Sequence, residues 1–375
     1  MTRYTRSLSA VALAVLFTGI LGCNQEVPKP AAKTGEDINK KSGEVKRVII
    51  ISNGEDPFWD ACNSGMKDAA LKFHLKEAGY NAVFVKNDGK VRGQINLLSQ
   101  YATQGDVAAI GISVISKDNV ALADQMKALR KKGIKIITID SDLDTKKFPD
   151  SREYYVGTNN LIGGRVLGIC ARHLLPEGGE YATFVGLKGA QNAIDRIDGF
   201  ADGAGKKFKS VASRGDGIVF PTAVKNVRNV LLDHKDLKLL VGIYAYNGPA
   251  IADVVEEEKS RAKYKIVTFD AAERSIKRMG EDMMDVMVVQ DPYHMGYYGI
   301  QLLKAMLDGD DKAIAEMQKN LPAASGAKDV FDTPLKVIVP NSGSPLKKEM
   351  FRKGVEFLTL DEFKKWLKLY GLVSS

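Results

Sequence analysis

From Lys46 onward the chain alternates short apolar runs with longer segments in which apolar residues recur at helical spacing. The runs are rich in Val and Ile with little polar alternation, the pattern of strands covered on both faces. They are "RVIII" from Arg47, "NAVFVK" from Asn81, "VAAIGIS" from Val107, "IKIITID" from Ile134, "YYVG" from Tyr154, "YATFVG" from Tyr181, "LKLLVGIY" from Leu237, "KYKIVTFD" from Lys263, "DVMVVQ" from Asp285 and "PLKVIVP" from Pro334. Amphipathic segments such as 57–78, 159–175 and 293–307 separate them and read as helices. This βαβα rhythm predicts mostly parallel sheets with helices on both faces. So many strands exceed one small sheet, and their division into two sets predicts two doubly wound, Rossmann-like lobes. No short internal repeat is present.

Open parallel sheets bind ligands in the crevice beyond the carboxyl ends of their strands, where loops vary freely and helix N-termini point inward. Taken in order, the strand exits carry Asn53, Glu55, Asp56, Phe58 and Trp59; Ser113; Asp140 and Ser141; Gly186 with Gln191 and Asn192; Asn247; Asp270; and Gln290. Any one of these polar residues is explained as a helix cap or turn former. Their joint presence asks for more. Carboxylates and side-chain amides pair with vicinal hydroxyls, and an aromatic face suits the C–H face of a sugar ring, so the set describes a sugar site.

The 375-residue chain is 45% hydrophobic and 27% charged, ordinary globular composition with length for two cores. Its formal charge of +8 lies largely in stretches such as "KALRKKGIK" (127–135) and "PLKKEMFRK" (345–353), where lysines mingle with apolar residues as on solvated helix faces. A nucleic-acid partner is therefore not expected. Arg3 and Arg6 precede the apolar run "LSAVALAVLFTGILG" (8–22), shorter than the roughly 20 residues that span a bilayer and typical of an export signal. After it, 24–44 read as a polar tether with nothing to bury. Past Cys23 only Cys62 and Cys170 remain, each in a helix-like segment; they are read as buried free thiols, with a disulfide the alternative in an oxidising compartment.

From Lys46 to about Asn341 the chain resembles the type I periplasmic sugar-binding proteins of the ribose and galactose group. The stretches that carry the likeness stand in that family's order: "SNGEDPFWDACNSGMKDAA", "GIKIITIDSD", "GTNNLIGGRVLG", "RIDGFADG", "YAYNGPAIAD", "IVTFDAA" and "VVQDPYHMGYYGIQLL". The resemblance implies an α/β fold of two lobes joined by a hinge of three segments: lobe one at 45–157 plus 291–333, lobe two at 158–290 plus 334–341, and an extension at 342–375. It places Phe58 and Trp59 as ring-stacking aromatics and Asp56 as a hydroxyl contact. Asp140, Asn247, Asp270 and Gln290 match hydroxyl-binding positions. Ser113, Ser141, Gln191, Asn192 and Arg196 complete the expected ligand set. The departures are that Ser113 replaces an Asn, Ser141 replaces an Arg, and Ile194 stands at the second-lobe Arg with Arg196 one helical step away. Val219 or Phe220 is the candidate for the second-lobe aromatic wall. "ILGC", residues 20–23, resembles a lipobox, which implies signal removal at 1–22 and lipidation of Cys23. The family implies an exported monomer in the periplasm or at the cell surface. There it would be lipid-anchored and would bind a small sugar without cofactor or metal for an ABC transporter permease. A sensor of a furanone signal or nucleoside, reporting to a membrane receptor, is the alternative.

Enzymatic chemistry finds little footing. His74, His173, His234 and His294 are scattered, with neither metal spacing nor an adjacent nucleophile. "DSDLD" (140–144) begins like a calcium loop but has Thr145 at position six and Ser151 at position twelve, so it reads as a turn. "GTNNLIGGRVLG" lacks the spacing of a nucleotide-binding glycine loop. A DNA-binding helix-turn-helix has no room before Lys46, because the signal run stands there. Beyond the family pattern, Thr359 and Glu362 have capping-box spacing and predict a helix start.

Overall fold

The structure is a computed structural model and is described for residues 45–321 and 323–375; the expected signal, Cys23 and tether lie outside the described residues. The first five strands, β1 (Lys46–Ile51), β2 (Tyr80–Val85), β3 (Val107–Ile112), β4 (Lys135–Ile139) and β5 (Tyr154–Gly157), build one sheet. The next five build a second: β6 (Gly179–Val185), β7 (Phe208–Gly215), β8 (Leu237–Gly242), β9 (Lys265–Phe269) and β10 (Val286–Val289). The chain then returns to the first sheet for β11 (Val330–Asp332) and ends in the second with β12 (Leu335–Val339) and β13 (Val355–Thr359). The orders are β11-β5-β4-β3-β1-β2 and β13-β12-β10-β9-β8-β6-β7. Every neighbouring pair is parallel except β10 with β12. The chain thus passes between lobes after Gly157, after β10 and between β11 and β12.

Three strands were not legible as apolar runs. β7 is an edge strand with a single buried residue, so "FKSVASRG" alternates like solvent-facing sequence. β11 has three residues. β13 lies in the region set apart as an extension, yet pairs in register with β12 from Leu335↔Val355 to Val339↔Thr359.

Helices α1 (Pro57–Lys72), α2 (Val91–Tyr101) and α3 (Val120–Lys131) belong to lobe one. The first is shorter than the expected 57–78, because His74 takes a left-handed φ of 51° and ends it. Lobe two carries α4 (Asn160–Leu174), α5 (Gln191–Ala204), α6 (Phe220–Asp233), α7 (Asn247–Glu257) and α8 (Glu273–Gly280). After the second crossing α9 (Pro292–Asp308) and α10 (Asp311–Asn320) return to lobe one, and α11 (Leu360–Leu369) closes the chain.

Small residues set how the site helices lie. A Cβ on Gly65 would overlap the Tyr293 carbonyl and one on Gly296 the Cys62 carbonyl, so α1 and α9 touch backbone to backbone. Gly164 and Gly199 do the same for α4 and α5, and this holds the Arg196 backbone against α4. Cys62 and Cys170 are buried and free, one on α1 and one on α4, and burial raises both thiols above their usual range.

Beside the second crossing lies a buried ion pair. Lys336 on β12 has no solvent exposure, and its Nζ is 2.5 Å from Asp291 Oδ2. Asp291 caps α9 through the His294 N–H at 3.1 Å and also meets His294 Nδ1 at 2.8 Å. The Trp366 ring of α11 covers the ammonium at 4.2 Å. The α11 helix opens on the expected capping box, with the Thr359 N–H donating to Glu362 Oε2 at 2.8 Å and the Glu362 N–H to Thr359 Oγ1 at 3.4 Å. After it, Ser375 exchanges backbone hydrogen bonds with Ala271.

Candidate functional site

The two lobes repeat one device. Strands β4 and β9 each end in an aspartate with positive φ, 65° at Asp140 and 64° at Asp270. This region is sparsely populated and Asp tolerates it better than most residues. Each also donates its N–H to the next strand, Asp140 to the Val156 carbonyl at 3.0 Å and Asp270 to the Val288 carbonyl at 2.8 Å. The backbone is therefore fixed while the carboxylate swings out at the strand end. Both residues keep 6% of their surface exposed.

Their partners differ. Asp140 Oδ2 accepts from Ser113 Oγ at 3.1 Å and, at a long 3.5 Å, from Asn53 Nδ2. Asp270 Oδ1 accepts from Gln290 Nε2 at 3.0 Å, and its Oδ2 lies 3.5 Å from Arg196 Nη1. Gln290 Oε1 is buried without a hydrogen-bond partner, a costly condition unless something else supplies the donor. Burial raises the Asp140 carboxyl to about 6; Arg196 and Ser113 oppose the rise, while Asp270 and Asp56 add to it. Burial raises Asp270 too, opposed by Arg196 and Gln290.

Arg196 is the buried cation of the site. Its Nε donates to Asn160 Oδ1 at 2.9 Å, its Nη1 to the Ile243 carbonyl at 3.1 Å, and its guanidinium lies 4.0 Å from the Phe269 ring centre. Asn192 is half-buried, and its Oδ1 accepts from the Tyr244 hydroxyl at 3.0 Å. Burial pushes that phenol up to about 12; Arg196 opposes the rise, and Asp140 and Asp270 add to it, so Tyr244 stands among them. Ser141 is half-buried.

Several expectations change. Trp59 was expected to show a ring face to the cleft, yet it is 2% exposed in the lobe-one core, with its N–H donating to Asn53 Oδ1 at 3.1 Å. Adjacent residues on a helix point about 100° apart, so a neighbouring pair cannot share one face. Phe58 is the half-buried partner, meeting Trp59 edge to face at 5.0 Å. Asp56 is exposed and caps α1 through the Phe58 N–H at 2.9 Å. Asn247 has no exposure and both polar atoms engaged, Oδ1 with the Tyr244 N–H at 3.0 Å and Nδ2 with Asp216 Oδ2 at 3.0 Å. It supports the loop after β8 instead of offering an open amide. Gln191 is exposed and bonds Asp195 four residues on, the pairing of a helix surface. Val219 is 48% exposed, and Phe220 lies 4.9 Å beneath the Arg274 guanidinium.

The sequence reading left out Asn160, Asp216, Tyr244 and Tyr246. Tyr244 follows β8 and was within reach of the strand-exit rule. Asp216 follows the unread β7, where it accepts from Asn247 and from the Tyr246 hydroxyl. Among the described residues no group of His, Cys, Asp and Glu is placed to hold a metal ion, and no helix is long and apolar enough to cross a membrane.

Residues 47–311 match the periplasmic binding protein domain. The chain belongs to that family. Its two doubly wound lobes with three crossings are the type I architecture. The ribose import binding protein of Salmonella typhimurium is 22% identical over 269 residues, 70% of this chain and 85% of that one. The D-ribose/D-allose-binding protein of Pseudomonas aeruginosa is 26% identical over 257 residues, 67% and 77%. Among solved structures, the solute-binding protein of an ABC transporter from Burkholderia graminis, in complex with D-arabinose, superposes with a TM-score of 0.68. It is 26% identical and covers 81% of this chain and 99% of that one.

Proposed function

We propose that this protein binds a small sugar between its lobes and delivers it to the permease of an ABC transporter, without turning it over. The observation that carries the reading is the repeated aspartate: Asp140 and Asp270 present fixed carboxylates at matching strand ends of the two lobes. Ribose- and arabinose-binding relatives give it further support. Two carboxylates, the unpartnered Gln290 Oε1 and the face of Phe58 suit hydroxyls on one side and ring C–H groups on the other. We take the lobes as 45–157 plus 291–333 and 158–290 plus 334–375, with the expected extension joining lobe two through β13 and α11, and with closure by rotation about the three crossings. The working unit is a monomer. A thermal-shift screen of aldopentoses and aldohexoses tests the reading. Ligand at one hundred times its Kd stabilises by about 2.7 kcal/mol, so one or a few sugars should raise Tm while the rest leave it unmoved. A screen in which no sugar raises Tm, whereas a nucleoside or furanone does, would replace the reading with the sensor one.

The export signal and the Cys of "ILGC" support a lipid anchor at Cys23, with the protein in the periplasm or at the cell surface. Cys23→Ser is expected to release a folded, ligand-binding protein from the membrane fraction. Retention of the variant in that fraction would remove the anchor from the account.

A further inference from the structure

The charges around the repeated aspartates do not balance. Asp140 and Asp270 are buried, and Asp56 stands close enough to raise both of them. Against the two buried carboxylates the site holds, among the described residues, one cation, Arg196, already engaged by Asn160, the Ile243 carbonyl and Asp270. Ser141, next to Asp140, and Ile194, two residues before Arg196 on α5, are both half-buried and uncharged. Asp140 has only a hydroxyl and a distant amide on Oδ2, and its Oδ1 accepts from no described residue. Beside Asp270, Gln290 adds a second unmet acceptor, Oε1. The site therefore asks its ligand for donors and for positive charge.

Resting on the sugar reading above, we propose that the ligand is an amino sugar, a pyranose whose protonated amine sits against Asp140 while its hydroxyls serve Asp270 and Gln290. A neutral sugar supplies hydroxyl donors to Asp140 but leaves its charge uncompensated when the lobes close. An ammonium supplies both, pairing the buried carboxylate with an opposite charge that a hydroxyl donor lacks.

A pH signature follows. The groups facing Asp140 are Asp56 and Cys62 from the first helix region, Tyr155 from β5, and Arg196, Tyr244 and Asp270 from lobe two. Cys62, Tyr155 and Tyr244 are all raised, so they stay neutral near pH 6. With its carboxyl at about 6, Asp140 is mostly protonated at pH 5 and mostly ionised at pH 7. An ammonium prefers the ionised form, so affinity rises about tenfold across that interval, with a proton released on binding.

The test is calorimetric titration of D-glucosamine, D-galactosamine and D-mannosamine, each beside its parent hexose, and of the neutral aldopentoses, at pH 5 and pH 7. One amino sugar should bind at least about tenfold more tightly than every neutral sugar at pH 7. Most of that preference should vanish at pH 5 and in Asp140→Asn. If the variant does not fold, the wild-type pH profile decides alone. A neutral sugar that binds more tightly than every amino sugar overturns the inference and leaves the sugar reading standing. If no sugar of either kind binds, the sugar reading fails and takes the inference with it.

Discussion

Lys336→Met is expected to destabilise the fold by about 3–5 kcal/mol, the range for breaking a buried ion pair from one side. Lys336 has no exposure and Asp291 has 1%, so the variant leaves a carboxylate away from water beside the second lobe crossing with only its His294 hydrogen bonds. Glu356, 3.8 Å from the ammonium and half exposed, is served by solvent when the lysine goes. Burial by itself pushes the Asp291 carboxyl up, but Lys336 and His294 outweigh it and hold the group at about 2. A depressed carboxyl contributes stability that is full above its unfolded pKa of about 3.9 and is lost as pH falls through the folded value. Urea midpoints should therefore drop more steeply between pH 4 and pH 2 in the wild type than in the variant. Adding Asp291→Asn should recover much of the loss at pH 7, since the stranded charge is gone. A single variant with a wild-type midpoint would show that the pair contributes nothing.

Trp59→Ala is the second large effect, a loss of about 3–5 kcal/mol as expected for removing a buried ring from a packed core. Trp59 packs on Phe58 at 5.0 Å and on Phe84 at 6.3 Å, and its N–H anchors Asn53, which in turn reaches Asp140. Phe58→Ala should behave in the opposite way, costing little stability and weakening sugar binding by about 0.5–1.5 kcal/mol if its ring carries the platform. Chemical unfolding of both variants beside a sugar titration separates the roles. A Phe58→Ala protein with unchanged affinity would leave the site without its aromatic face.

The fold was largely open to reading because buried parallel strands appear as unbroken Val/Ile runs, and ten of them stood out. Edge position hid β7, brevity hid β11, and β13 hid in a segment that looked like a tail. The site was legible where topology does the work. Parallel strands gather their ends in one crevice, so Asp140, Asp270, Gln290 and Ser113 could be named together. What a side chain does once there was not legible. Asn247 occupies the expected place but bonds Asp216 from an unread strand, and Trp59 turns inward because a helix separates neighbours. Gln191, five residues before Arg196 and so about 140° around α5 from it, faces water while Arg196 is buried.

Both lobes are expected to hold one sugar through Asp140 and Asp270. Calorimetric titration of Asp140→Asn and Asp270→Asn with the tightest sugar from the screen tests it most directly. Each variant should lose about 1.5–3 kcal/mol of binding, roughly 10- to 150-fold in Kd, because each removes a charged acceptor for ligand donors. Wild-type affinity in either variant would mean that its lobe does not grip the ligand through this residue, and the two-lobed carboxylate site would be wrong.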